Sequence, residues 1–361
     1  MICSHSARSI DTLPGLLATS LLISMLLGAC SGAAAPTPFP TPAVHPTKFA
    51  ASGAAAEPEL PQTAASTVSP TPDPYRGLTI ADLRSRTYGA GMIRFEPEQR
   101  VSSRFSRYLL EYPSNGLSVH GFLNLPHGEG PFPVVLVLHG YIDPDLYQTL
   151  TYTTRYADSL ANEGFLVLHP NYRNYPPSDP GPNAYRVGYA VDVLNLIALI
   201  EKQAGRPGPL EYADPDSIGL FGHSMGGGIA LRVIAAQAPV QAAVLYGSMS
   251  ADEQLNFEKI YEWSEGQRGA DELNTPASDL ARISPVNYLD GIQAAVSIHH
   301  GEGDRLVPPE WSEDLCRRLT ALGKTVECFS YPGEPHTFIG YGGIQLIERA
   351  VAFYQEHLGP P

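Results

Sequence analysis

The chain predicts an α/β fold: a mostly parallel, doubly wound sheet of eight strands, with a small helical cap insertion. Short apolar runs alternate with amphipathic stretches from residue 134 onward, the pattern of strands joined by crossover helices. One such run ends in Gly222-His223-Ser224-Met225-Gly226 before a helix-forming stretch, a strand, sharp turn and helix in succession. The residues best suited to chemistry all fall in loops that follow strands, where open α/β sheets gather their sites.

Taken in order, 103–112 and 117–125 read as two strands of a hairpin turned by Pro113-Ser114-Asn115-Gly116. The most continuous apolar run, 134–138, is a buried strand. A helix is expected over 147–162, a strand over 165–169, a helix over 185–203 and a strand over 217–221. A helix at 224–236 and a strand at 242–246 follow. The excursion at 249–289 carries Phe257, Tyr261 and Trp263 and is too long for a plain connection. A small helical cap over a pocket and a surface elaboration unrelated to substrate both fit it. Beyond it, 294–300 reads as a strand, 309–322 as a helix and 325–331 as a strand.

Ser224 is the candidate nucleophile. Glycines flank it because a tight elbow leaves no room for larger side chains, and the helix N-terminus behind it favours developing negative charge. A hydroxyl nucleophile needs a general base, and the base needs a carboxylate to hold its tautomer. Downstream, Gly301-Glu302-Gly303-Asp304 offers Asp304, and Pro332-Gly333-Glu334-Pro335-His336 offers His336, in the chain order Ser, Asp, His. Oxyanion donors are expected from the residue after the nucleophile and from the loop after the 134–138 strand: the backbone N–H groups of Met225 and Tyr141. Bland readings fit other tempting residues. His300 supports the acid loop through a backbone hydrogen bond, Asp192 is a satisfied structural carboxylate, and His139 shapes the oxyanion turn.

Together, His139-Gly140-Tyr141, Asn171-Tyr172-Arg173, Asp192, 222–227, Ser284-Pro285, His300-Gly301 with Asp304 and Val307-Pro308, and Tyr331-Pro332-Gly333 with His336 resemble an α/β-hydrolase. The resemblance covers roughly residues 100–358 and is to the catalytic domain of the prolyl oligopeptidase family and its dienelactone-hydrolase-like relatives. It implies a Ser224-His336-Asp304 triad and an acyl-enzyme, and it offers the Tyr141 phenol as a further oxyanion donor. Two departures stand out. The chain has no room for the N-terminal propeller of those peptidases, and Asn174-Tyr175-Pro176-Pro177 replaces the Gly-Ser that usually follows Asn-Tyr-Arg.

The N-terminus addresses destination. Arg8 precedes an interrupted apolar stretch, 13–27, too short for the ~20 apolar residues of a spanning helix. Leu26-Leu27-Gly28-Ala29-Cys30 resembles a bacterial lipobox, so 1–30 reads as a lipoprotein-type signal with lipid on Cys30. An ordinary cleaved signal or an uncleaved anchor are the alternatives. Segment 31–75, rich in Pro, Ala and Thr, reads as a disordered tether, leaving 76–361 as one catalytic domain. An extracytoplasmic, membrane-anchored enzyme follows as the expected location.

A formal charge of −14 with 23 basic residues and no basic stripe argues against nucleic acid as a partner. No metal-ligand spacing or dinucleotide fingerprint occurs, so no cofactor or metal is implied. Of four cysteines, Cys3 leaves with the signal and Cys30 takes the lipid. Cys316 and Cys328 remain, on an adjacent helix and strand. An oxidising compartment favours a disulfide between them, with two buried thiols as the alternative. The function expected is a serine hydrolase acting on a small ester, hence a carboxylesterase. A peptidase for short peptides and a non-catalytic binding protein on the same fold are the competing readings.

Overall fold

The computed structural model describes residues 73–361. The signal, Cys30 and nearly all of the expected tether lie outside the described residues. In chain order the strands are β1 (Arg94–Phe95), β2 (Gln99–Arg100), β3 (Phe105–Ser114), β4 (Leu117–Pro126), β5 (Phe132–Leu138), β6 (Leu166–Pro170), β7 (Ala213–His223), β8 (Ala242–Tyr246), β9 (Ala295–Gly301) and β10 (Val326–Tyr331). The helices are α1 (Ile80–Ser85), α2 (Thr154–Asn162), α3 (Val187–Gln203), α4 (Met225–Ala235), α5 (Glu253–Trp263), α6 (Ala270–Leu273), α7 (Ala277–Ile283), α8 (Pro309–Ala321) and α9 (Tyr341–His357).

All the strands join one sheet, ordered β1-β3-β4-β6-β5-β7-β8-β9-β10, with β2 also on β3. The hairpin β3–β4 and its junction with β6 are antiparallel; from β6 to β10 every neighbouring pair is parallel. The eight longer strands are those the sequence predicts, and β1 and β2 add two-residue pieces at the antiparallel edge. Every residue of β5 is buried, as expected of a central parallel strand covered on both faces. Its alternate residues divide between two cores. Val134, Leu136 and Leu138 face the layer containing α3 and α4, while Val135 and Val137 face α2 and α9.

Helix α2 begins at Thr154, seven residues later than the expected start at 147. The segment before it holds Thr149, Thr151 and Thr153, whose β-branched side chains favour helix poorly. Tyr147 instead turns inward, its hydroxyl donating to Asn171 Oδ1 at 3.0 Å, and Thr153 takes a left-handed conformation, φ 57°.

Asp192 is wholly buried on α3. It accepts from Arg173 Nη2 at 2.7 Å, from the Arg173 backbone N–H at 2.8 Å and from Ser114 Oγ at 2.6 Å. It therefore ties the loop after β6 to the hairpin, which is a structural role. Removing one partner of such a pair leaves a buried charge uncompensated.

Cys316 on α8 and Cys328 on β10 form a disulfide, S–S 2.01 Å, with Cα atoms 6.4 Å apart. Closing a loop of this size stabilises a fold by about 3 kcal/mol in the chain-entropy model. The double variant Cys316→Ser/Cys328→Ser should melt lower by roughly 5–10 °C in a thermal scan. An unchanged melting temperature would contradict this.

Candidate functional site

The register brings the ends of the parallel strands level. Leu138 pairs with Gly222, His223 with Tyr246, Tyr246 with His299, and Gly301 with Tyr331. The loops leaving these ends carry Tyr141, Ser224, Asp304 and His336, so one edge of the sheet collects every residue expected to act in catalysis.

Ser224 stands between β7 and α4 at φ 56°, ψ −119°, a backbone conformation that a residue with a side chain seldom adopts. The elbow is held by its Ser224 N–H, which donates to Tyr246 O at 3.0 Å, and by the Ser224 carbonyl, which accepts from Gly227 and Met249. The flanking glycines are sterically required. A Cβ on Gly226 would lie 2.0 Å from Leu138 O, and one on Gly222 2.5 Å from Gly226 O. The Ser224 side chain makes no capping hydrogen bond to α4. Met225 N–H, first of that helix, has no intrahelical acceptor and is open to an anion.

Asp304 Oδ2 lies 2.7 Å from His336 Nδ1 and 3.1 Å from His300 Nε2. Its Oδ1 accepts from the backbone N–H groups of Leu306 at 2.8 Å and Val307 at 2.9 Å. Burial by itself would raise this carboxyl. The hydrogen bonds from His300, His336 and Val307 outweigh it and hold the group well below the usual carboxylate range. An ionised Asp304 fixes the proton of His336 on Nδ1 and leaves Nε2 free to act as a base.

His300 supports the acid loop through the Val307 backbone carbonyl and also reaches the carboxylate itself. Its Nε2 faces both Val307 O and Asp304 Oδ2, each at 3.1 Å, and its Nδ1 lies 2.6 Å from Ser312 Oγ. Glu302, the other acid of the loop, accepts from Ser330 Oγ at 2.8 Å and takes no part in the His336 contact.

Two residues that sequence reasoning passed over shape the base loop. His223, beside Ser224, packs its ring against His336 in a tilted arrangement with ring centres 4.9 Å apart. Its Nε2 donates to His336 O at 3.1 Å, while Nδ1 accepts from the Tyr152 hydroxyl at 3.2 Å. Burial pushes His223 down to about 3, so the ring is neutral and this tautomer is the one that satisfies both contacts. Tyr246 accepts a short hydrogen bond from the Phe338 N–H, pinning the far side of the same loop. The only sequence signal for His223 was its place inside the pentapeptide; for Tyr246 there was none beyond its strand end.

His139 lies under the loop after β5. It stacks on Tyr172 at 4.5 Å and meets Tyr175 edge-on at 4.8 Å, and burial lowers it to about 4. Tyr175, from the departure after Asn-Tyr-Arg, is fully buried and fills this space beneath the site.

The 249–289 segment is helical, comprising α5, α6, α7 and a 3-10 stretch, Pro285–Gly291. Its root is fixed to α4: Glu253 accepts from Arg232 Nη2 at 2.5 Å and also pairs with Arg186. A cleft of about 980 Å³ runs between it and the sheet edge. Tyr141, Met225, Met249, Phe257, Ile260 and Trp263 are among the residues that line it. Both expected oxyanion residues thus border the same cleft.

The profile of the prolyl oligopeptidase family matches residues 208–361, and that of the serine aminopeptidase (S33) family matches residues 129–271. The uncharacterized peptidase YuxL of Bacillus subtilis is 25% identical over 68% of this chain, which spans only 38% of the length of that relative. Among solved structures, acetyl xylan esterase 1 from Thermoanaerobacterium superposes with a TM-score of 0.55 at 17% identity, over 78% of this chain and 92% of its own. The acylaminoacyl peptidase of Pyrococcus horikoshii gives 0.57 at 19% identity, over 72% and 42%. Sheet order and elbow match the α/β-hydrolase arrangement, and within it the chain resembles the prolyl oligopeptidase and serine aminopeptidase families.

Proposed function

We propose that the protein is a carboxylesterase that works through an acyl-enzyme on Ser224, with His336 as base and then acid and Asp304 orienting it. The observation that carries this reading is the strained elbow of Ser224 at the sheet edge that also carries the half-buried Asp304–His336 pair, bonded at 2.7 Å. In the reaction, His336 Nε2 takes the Ser224 proton as Oγ attacks the ester carbonyl. The N–H groups of Tyr141 and Met225 receive the developing oxyanion. His336 then returns its proton to the leaving alcohol, and a water activated by the same imidazole releases the acid.

The cleft, of a size that holds one small ligand, supports a modest ester, and Phe257, Ile260 and Trp263 offer its apolar part a wall. One solved structure matched over most of its own length, an acetyl xylan esterase, is of similar extent to this domain, a likeness of fold. The peptidase reading is favoured by a different feature: Glu265, Asp271 and Glu272 line the cleft and would complement the amino terminus of a short peptide. A panel of 4-nitrophenyl acyl esters assayed beside aminoacyl 4-nitroanilides separates the two. The esterase reading expects kcat/KM at least 100-fold higher on the best ester, and comparable or higher turnover of an anilide would overturn it.

The proposed location is extracytoplasmic, with lipid on Cys30 and the 31–75 segment as tether. The Leu26 to Cys30 motif supports the lipid, and the Cys316–Cys328 disulfide supports an oxidising compartment. Among the described residues no helix is long and apolar enough to cross a membrane. Cys30→Ser should abolish lipid attachment while purified protein keeps its activity. Mass spectrometry finding an unlipidated mature N-terminus in the native protein would refute the anchor.

A further inference from the structure

We infer that Arg268, contributed by the 249–289 insertion, is a positioning residue for the reaction: it holds Tyr141 so that the phenol proton points at the substrate oxygen. This rests on the serine-hydrolase reading of Ser224. Arg268 Nη1 donates to the Tyr141 hydroxyl at 2.6 Å, and the guanidinium carbon lies 5.4 Å from the centre of the tyrosine ring. A guanidinium carries donors and no acceptor, so the phenol oxygen must accept this bond. The tyrosine's own proton is then left over, and among the described residues no acceptor takes it.

Geometry says where that proton can go. Tyr141 and Arg268 line the cleft together with Met225, the residue that follows Ser224 in the chain, so the free phenol proton lies in the cleft that the elbow borders through Met225. A cation on the phenol oxygen polarises the O–H and makes it a stronger donor to a developing negative charge. The partner choice also counts. Glu265, Asp271 and Glu272 border the same cleft, yet the guanidinium bonds the phenol rather than a carboxylate. Backbone contacts fix its approach: Arg268 N–H donates to Ser264 Oγ at 2.9 Å, and Gly266 and Gly269 turn the chain on either side at φ 81° and 85°. The insertion thereby takes part in transition-state stabilisation as well as walling the cleft.

The test is a double-mutant cycle on 4-nitrophenyl acetate, each variant titrated with a fluorophosphonate to count working sites. Tyr141→Phe keeps the backbone N–H and removes only the phenol. It should lower kcat by roughly 10- to 100-fold. Arg268→Gln should lower kcat by roughly 10-fold with KM changed less than about 2-fold, and Arg268→Lys should recover part of the loss. In the Tyr141→Phe background, Arg268→Gln should have no further effect. An unchanged kcat in Arg268→Gln, or losses that multiply in the double variant, would overturn the inference while stoichiometric titration left the Ser224 reading standing. Failure of the wild-type enzyme to titrate would instead remove the reading on which it rests.

Discussion

Ser224→Ala is expected to lower kcat/KM by roughly 10⁴-fold or more, and His336→Ala by a similar factor, because neither group makes a nucleophile without the other. The double variant should be no worse than either single one. Asp304→Asn belongs with them. It keeps the shape of the site but offers His336 Nδ1 an amide in place of the carboxylate now 2.7 Å away, so activity should fall by about 10⁴-fold with the fold intact. Steady-state kinetics with far-ultraviolet circular dichroism of each variant checks both halves. A Ser224→Ala enzyme with full turnover would mean that another residue attacks the substrate.

Acid should unfold the protein well above the range in which carboxylates titrate. Four histidines, His139, His169, His223 and His299, are fully buried. Burial lowers His139 to about 4, His223 and His299 to about 3, and His169 well below its ordinary value. In the unfolded chain each titrates near 6.5. Below that pH the unfolded state binds protons that the folded state refuses, so stability is fully present above about pH 6.5 and falls as the pH drops. Each group contributes a slope of about 1.4 kcal/mol per pH unit until its folded value is reached. Against a typical total of 5–15 kcal/mol, four such slopes bring the midpoint of unfolding to near pH 5. Asp304 acts in a separate window. Its folded value is depressed, so its share persists above about pH 4 and is lost only below that. Urea denaturation from pH 7.5 to 4.5 measures the slope, and a flat midpoint across that range would contradict the account.

The placing of the candidate site residues at one sheet edge was readable because each depends on a local signal. The elbow is a pentapeptide, and Asp304 and His336 follow strands that their own apolar runs announce. The helical character of the 249–289 segment was legible from its length and aromatic content. What sequence reasoning lacked were pairings between distant parts of the chain. His223 donating to His336 O spans 113 residues, Arg268 on Tyr141 spans 127, and Glu253 clasping Arg232 joins two elements of no obvious kinship. Tyrosines such as Tyr175 and Tyr246 read as generic apolar residues until packing gave each a neighbour. The start of α2 was misplaced for a related reason. Tyr147 looks like the first apolar residue of a helix, and its hydroxyl is instead committed to Asn171, 24 residues on. Helix α1 carried a capping box, Thr79 with Asp82, that only its backbone contacts make plain.

The central claim is that Ser224 is the one activated nucleophile of the site, and a fluorophosphonate tests it without knowledge of the substrate. Incubation of the wild-type protein followed by peptide mapping should find one adduct per chain, on Ser224, with activity lost in proportion and labelling slowed by orders of magnitude in His336→Ala. Undiminished ester hydrolysis by protein that stays unlabelled, or an adduct on any other residue, would contradict it.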